Sequence, residues 1–136
     1  MIFFDILEHP SDLFVRVHGK SHRELIVNCI RTFGHLVVDD VPDNVTETRT
    51  IKLKGDQIEN VVVDLFSELI AAIDSENLLI TTAGEITGEI PGSMTVNVSG
   101  VLLRGDEAYS NVIKAVTYHD LKYYREEGFI TVLFDL

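Results

Sequence analysis

The sequence is poor in cysteine, proline and basic residues. Its 136 residues include one Cys, three Pro and eleven Lys or Arg, against twenty-two Asp or Glu. A single cysteine forms no internal disulfide, which is typical of proteins in a reducing compartment, so we expect a cytoplasmic protein. The sequence also has no apolar run long enough to cross a bilayer, and we therefore expect no membrane association.

The shortage of basic residues limits the class of partner. The formal net charge is −11 at pH 7. Nucleic-acid-binding proteins neutralise phosphates with Lys and Arg and release counterions, so this composition argues against direct, high-affinity nucleic-acid binding. An acidic protein instead attracts basic protein surfaces or cations, or its charge serves only solubility.

Familiar catalytic motifs are also absent. The sequence contains no nucleophile elbow, no phosphate-binding glycine loop and no calcium loop of alternating acids. Cys29, the one thiol, falls on the apolar face of a predicted helix, and we expect it to be a core residue. No constellation for general acid or base catalysis reaches the quality of a known motif.

Two amphipathic helices are predicted. The hydrophobic fraction of 46 % is enough to form the core of one domain over residues 1–136. Ser21 with Glu24 forms a capping box that predicts the start of the first helix. Asp56 with Glu59 predicts the start of the second helix by the same logic. The predicted apolar faces are Leu25, Ile26, Cys29, Ile30, Phe33, Leu36 and Val37, and Ile58, Val61, Val62, Leu65, Phe66, Leu69, Ile70 and Ile73.

The remaining segments predict strands and turns. Leu13, Val15 and Val17 alternate with other residues in the period of a half-buried strand. Further strands are predicted over residues 3–7, 46–53, 78–82 and 94–103, and on both sides of the turn at 126–128. Residues 8–12 are predicted to be a break, 84–92 a turn-rich connection and 105–111 a loop. The predicted fold is an α+β single-domain sandwich, a mostly antiparallel sheet packed with two amphipathic helices.

The C-terminal segment carries charged residues where apolar ones are expected. Lys114 and His119 lie in a segment whose pattern otherwise predicts a buried strand, and Asp135 follows the apolar run 129–134. Charged groups in apolar strands are costly unless they are paired or bound to an ion. This segment is therefore predicted to be part of a site.

Three aspartates are candidate cation ligands, each with a simpler alternative. If the N-terminal and C-terminal strands are neighbours, the carboxylates of Asp12 and Asp135 converge at one sheet edge, where they suit magnesium, calcium or manganese better than zinc. The alternatives are a turn aspartate for Asp12 and a solvated strand end for Asp135. Asp39 follows the first helix, where a role in the turn is favoured over a cation site. Lys114 either extends to the surface, neutralises the aspartates or holds a phosphate.

Several segments match those of a known family. On these segments the chain resembles the archease family along nearly its full length, most specifically in the C-terminal block. The matching segments are 7–12, 19–20, 37–39, 64–70, 74–76, 113–119 and 134–136.

The resemblance implies a small α+β protein that serves as a cofactor of the tRNA-splicing RNA ligase. That ligase joins a 2′,3′-cyclic phosphate end to a 5′-hydroxyl end with GTP, divalent metal and a guanylylated histidine. The archease would promote guanylylation and multiple turnover without being the catalyst. By position, Asp12 and Asp135 would be metal ligands, with Asp39 a further acid of the cluster. Lys114 would be a required base and His9 a neighbour of the metal site.

Two alternatives remain open. Family resemblance also implies a chaperone-like modulator of RNA-modifying enzymes. A metal-assisted phosphoesterase would instead use the two strand-end carboxylates, Lys114 and His119 directly. His119 is therefore counted among the residues required for function, together with Lys114 and His9.

Overall fold

The computed structural model describes residues 3–9 and 12–136. Pro10 and Ser11, where the sequence predicts a break, lie outside the described residues. The described residues form two helices and seven strands. The elements are β1 (Phe4–Leu7), β2 (Leu13–His18), α1 (His22–Val37), β3 (Glu47–Gly55), α2 (Ile58–Glu76), β4 (Leu78–Gly88), β5 (Gly92–Leu102), β6 (Ala115–Tyr124) and β7 (Phe129–Asp135).

The strands form two antiparallel sheets that share one core with the helices. The first sheet has the order β1-β2-β7-β6 and the second the order β3-β5-β4. Helix α1 packs on β2 and β4, and α2 packs on β3, β4 and β6, so each helix bridges both sheets. The predicted α+β fold, with antiparallel pairing and two amphipathic helices, is confirmed. Among the described residues, no helix is long and apolar enough to cross a membrane.

The two predicted helix starts have different outcomes. The backbone N–H of Glu24 donates to Ser21 Oγ at 3.0 Å, which confirms the cap of α1. The predicted Asp56 cap is wrong, because α2 begins after Gln57 and no side chain caps it. Asp56 stands one residue too early, and α2 depends instead on the burial of its apolar face. Cys29 lies fully buried on the corresponding face of α1, as predicted.

Strand β4 is longer than predicted. It continues through Gly84, where a turn-rich connection was expected, and ends at Gly88. Its ladder with β5 shifts register between Ile80 and Thr82 and again between Ala83 and Ile86. These irregularities accommodate extra residues within the strand, so a local glycine signal marks a bulge and not a turn.

Strand β6 is an edge strand. The predicted strand is confirmed from Ala115 onward, and Ile113 is buried, but the predicted burial of the residues that follow is wrong. Lys114 lies just before β6, and the residues of β6 are half-buried or exposed. His119 is 75 % exposed. The apolar residues of this segment led to the prediction of burial. An edge strand, however, has a neighbouring strand on one side only, so more of its surface is left exposed. The apolar run before Asp135 is buried as expected, from Ile130 to Phe134.

The close packing of β4 against β5 gives a test of the fold. A Cβ atom at Gly100 would lie 2.1 Å from the Leu79 carbonyl oxygen, whereas one at Gly84 would have its nearest neighbour at 3.5 Å. We expect Gly100→Ala to lower the free energy of unfolding by about 1–3 kcal/mol or more, since the backbone must shift. The matched control Gly84→Ala should stay within about 0.5 kcal/mol of wild type. Urea titration followed by circular dichroism measures both, and equal stabilities would contradict the packing described here.

Candidate functional site

Asp12 lies just before β2 and Asp135 at the end of β7, so both aspartates lie at the same end of two neighbouring strands of the first sheet. Leu13 of β2 is the register partner of Phe134 of β7. Asp12 directly precedes Leu13, and Asp135 directly follows Phe134. The strand adjacency on which the metal-site prediction depends is therefore present. The period of two along a strand groups these aspartates with Phe14 and Leu133, on the sheet face that points away from the helices.

His9 lies between two carboxylates. Its Nδ1 is 3.8 Å from an Asp12 carboxylate oxygen, and its Nε2 is 3.6 Å from Asp120 Oδ2. The His9 ring packs on the Phe14 ring, with the ring centroids 5.7 Å apart. His119 Nε2 approaches the same Asp120 oxygen at 3.4 Å. His9 is thus a neighbour of Asp12, and its place beside a metal site stays a prediction. The contribution of Asp120 was not predicted.

A wide bulge in β6 brings Asp120 to this place. Thr117 is paired with Leu133 and Lys122 with Thr131, so residues 118–121 of β6 lie opposite residue 132 alone. Asp120 has φ 56°, in the left-handed region that aspartate tolerates better than most residues. Its carbonyl oxygen accepts a hydrogen bond from Thr131 Oγ1 at 2.9 Å. No local sequence pattern predicts such a bulge, so the position of Asp120 next to His9 could not be predicted from the sequence.

Asp39 anchors a loop to the end of α1. Its backbone N–H donates to the Ala108 carbonyl at 2.9 Å, and its carboxylate accepts a hydrogen bond from Ser110 Oγ. Asn111 Nδ2 donates to the Leu36 carbonyl at 2.8 Å in the same region. Asp39 therefore has the structural role that the sequence favoured.

The structure does not gather the predicted ligands into a ready set. Within residues 3–9 and 12–136, no three His, Cys, Asp or Glu side chains are grouped so that they could hold a metal ion. The pair of strand-end carboxylates nevertheless supplies the oxygen donors that hard cations prefer. The ligand roles of Asp12, Asp39 and Asp135 stay predictions.

Lys114 lies beside the Asp135 strand end. Its backbone N–H donates to the Asp135 carbonyl at 2.9 Å. The residue is exposed and lines a cavity of about 230 Å³ between α2 and β6, together with Ser67 and Asp74. Its amine forms no ion pair within the part of the chain that the structure describes. Lys114 is thus exposed at the surface, which was one of the three alternatives. Neutralisation of the aspartates and binding of a phosphate by Lys114 stay predictions.

The opposite end of the same sheet face carries a second charged group that the sequence analysis missed. Asp5 Oδ2 lies 2.7 Å from His18 Nε2 and 3.1 Å from Arg16 Nε. Because a carboxylate only accepts, His18 Nε2 carries the proton in this contact. The hydrogen bond from His18, followed by that from Arg16, lowers the pKa of Asp5 below its ordinary value.

The lowered pKa of Asp5 predicts a loss of stability in acid. Because Asp5 is harder to protonate in the folded state, the unfolded chain takes up more protons as the pH falls. The contribution is fully present above the ordinary carboxyl pKa and is lost as the pH falls through the lowered pKa of the folded state. We expect Asp5→Asn to flatten this part of the pH dependence in urea titrations. Asp106→Asn, at a 74 % exposed side chain, is the control. An unchanged slope in Asp5→Asn would contradict the prediction.

Known proteins match this sequence over nearly its full length. The sequence model of the archease protein family (MTH1598/TM1083) matches residues 4–136. The chain belongs to the archease family. The protein archease of Thermoplasma acidophilum is 32 % identical over 136 residues, which cover 98 % of this chain and 93 % of that protein. The protein archease of Thermoplasma volcanium is 31 % identical and covers 98 % of each chain.

Solved structures share the fold of this archease-family chain. The solution structure of Methanobacterium thermoautotrophicum protein 1598 has a TM-score of 0.76 at 20 % identity, covering 98 % of this chain and 99 % of that one. The crystal structure of an archease, a possible chaperone, from Thermotoga maritima has a TM-score of 0.64 at 21 % identity, covering 97 % and 96 %. The resemblance seen in the sequence is confirmed over nearly the whole chain.

Proposed function

We propose that this protein is a non-catalytic cofactor that binds a hard divalent cation and activates a tRNA-splicing RNA ligase, promoting its GTP-dependent guanylylation and multiple turnover. The observation that carries the proposal is the meeting of Asp12 and Asp135 at neighbouring strand ends, beside Lys114, in a chain of the archease family.

The chemistry of the strand ends fits a hard cation. Asp12 and Asp135 offer carboxylate oxygens, which suit calcium, magnesium or manganese, and Asp39 is the candidate third acid. The side chain of Asp12 is 30 % exposed, so it is accessible to an ion. A bound cation would supply concentrated positive charge next to Lys114. The chain itself would contribute the ligands and a surface open to a partner protein. The hydrogen bond from the Lys114 backbone N–H to the Asp135 carbonyl would hold the Lys114 backbone beside the ligands.

The charge of the chain supports a protein partner of opposite charge. Its formal net charge is −11. A ligase that holds RNA and GTP presents a basic surface, and an acidic protein is attracted to it. Direct binding of this protein to the RNA is disfavoured by the same charge.

Cavity positions argue against an enzyme that acts alone. The cavity beside Lys114 is about 230 Å³, below the range of about 300–1,000 Å³ that is usual for small-molecule sites. A larger cavity of about 620 Å³ lies on the three-stranded sheet and is lined by Thr48, Arg49, Thr50, Gly84, Asn97, Val98 and Ser99. It contains none of the predicted site residues. Within the part of the chain that the structure describes, this larger cavity is therefore separate from the strand ends that carry the candidate residues.

Ligase guanylylation with GTP tests the proposal. We expect wild-type protein to raise the rate over ligase alone, and Asp12→Asn, Asp135→Asn and Lys114→Ala to bring it back toward the level without activator. Asp106→Asn, an exposed acid elsewhere, should activate like wild type. No rise with wild type would refute activation. Turnover of a cyclic phosphate by the purified protein alone would support the phosphoesterase instead.

The chaperone-like role is a second candidate, since the Thermotoga maritima archease is called a possible chaperone. It predicts that stabilisation of a partner enzyme against thermal inactivation survives Asp12→Asn and Asp135→Asn, whereas cation-dependent activation does not. Parallel activation and inactivation assays with the same variants separate the two roles.

Calorimetric titration with calcium, magnesium and manganese tests the ligands individually. We expect Asp12→Asn and Asp135→Asn each to weaken binding by at least about tenfold, because each removes an oxygen ligand. Asp39→Asn decides between two roles: weaker binding identifies a third ligand, and unchanged binding leaves Asp39 as a loop anchor only. Unchanged affinity in Asp12→Asn and Asp135→Asn would remove these aspartates from the site.

A further inference from the structure

His9 and Asp120 form a contact, here called the clasp, across the outer face of the first sheet. His9 comes from the connection between β1 and β2, and Asp120 from the bulge of β6. His9 Nε2 lies 3.6 Å from Asp120 Oδ2. Strands β2 and β7 run between these two elements. The clasp therefore joins the region next to Asp12 to the far edge of the sheet.

The outer face of the sheet next to the clasp carries residues that are buried. Leu133 is 2 % exposed and Thr131 is 6 % exposed, although both lie on the outer face. Thr131 donates to the Asp120 carbonyl, and the His9 ring packs on Phe14, the register partner of Leu133. These contacts hold the bulge and the His9 ring against the sheet, so the position of Asp120 is defined by backbone and side chain together.

The other ring nitrogen of His9 faces the proposed cation site. Nδ1 is buried without a hydrogen-bond partner within the described residues and lies 3.8 Å from Asp12 Oδ2. A buried polar atom without a partner is costly. The Asp12 carboxylate only accepts, so it can serve as that partner when Nδ1 carries a proton. A carboxylate on one ring nitrogen of a histidine fixes the orientation of the ring and thereby the direction of the other nitrogen.

We propose that Asp120 is a positioning residue, which orients the His9 ring and through it the carboxylate of Asp12. Asp120 is not a cation ligand in this arrangement. The inference rests on the proposed function, in which Asp12 binds the cation, and adds a residue that acts at a distance from the ion. Partners that orient ligand residues typically change metal affinity by about 10–100-fold when they are removed.

The backbone of Asp120 allows a matched set of variants. Asp120→Gly removes the carboxylate and suits φ 56°, and Asp120→Asn keeps an acceptor oxygen in the same conformation. Asn77, at the end of α2, is the other described non-glycine residue with positive φ, at 55°. Asn77→Gly therefore controls for the general effect of a glycine at such a position.

The test combines calorimetric titration with Mn²⁺ and NMR of the metal-free protein. We expect Asp120→Gly to weaken Mn²⁺ binding by at least about tenfold, Asp120→Asn to weaken it less, and Asn77→Gly to bind like wild type. In the metal-free protein, the His9 ring and Asp12 amide resonances should shift in Asp120→Gly and stay in place in Asn77→Gly. Asp12→Asn reports on the ligand itself and should weaken binding by at least about tenfold, as in the titrations above.

Wild-type affinity in Asp120→Gly would overturn the proposal, whether or not the resonances shift. If wild-type protein binds no Mn²⁺, the cation part of the proposed function fails. The His9 and Asp12 resonances then decide by themselves whether Asp120 orients Asp12. If Asp120→Gly does not fold, Asp120→Asn is decisive: unchanged Mn²⁺ affinity and unchanged His9 resonances would overturn the positioning role.

Discussion

The antiparallel pairing of β2 with β7 is the contact on which both core and candidate site depend. It places Val15 opposite Val132 and Leu13 opposite Phe134, all buried, so the inner face of the first sheet is centred on this pair. The same pairing brings the start of β2 and the end of β7 to one edge. Core packing and the neighbouring aspartates are therefore two results of one register. A shift by one residue would exchange the faces of every side chain in the strand.

Elements packed around this pair support the site from different directions. Helix α2 packs on β6, and the loop that precedes Lys114 is held to the end of α1 by Asp39 and Asn111. The Lys114 backbone then bonds to Asp135. The helices as well as the sheet therefore hold the residues close to the strand ends in place, although the site itself lies at the surface.

Local patterns predicted most of the secondary structure, and long-range geometry accounts for the errors. The Ser21 cap and the alternation of Leu13, Val15 and Val17 are local signals, and the structure confirms them. The bulges of β4 and β6 depend on how one strand lies against another, which no single segment encodes. In the site, the sequence predicted that Asp12 and Asp135 would converge if their strands were neighbours, and the structure supplies that pairing. Asp120 could not be found, because only the bulge brings it to His9.

The bulge of β6 also has a consequence for association between molecules. An edge strand offers a row of free backbone groups to which another strand can add, and long regular edges promote aggregation. In β6 the regular ladder stops after Thr117 and resumes at Lys122, so no long continuous edge is available. The irregularity that carries Asp120 to His9 thereby also hinders edge-to-edge pairing of one sheet with another.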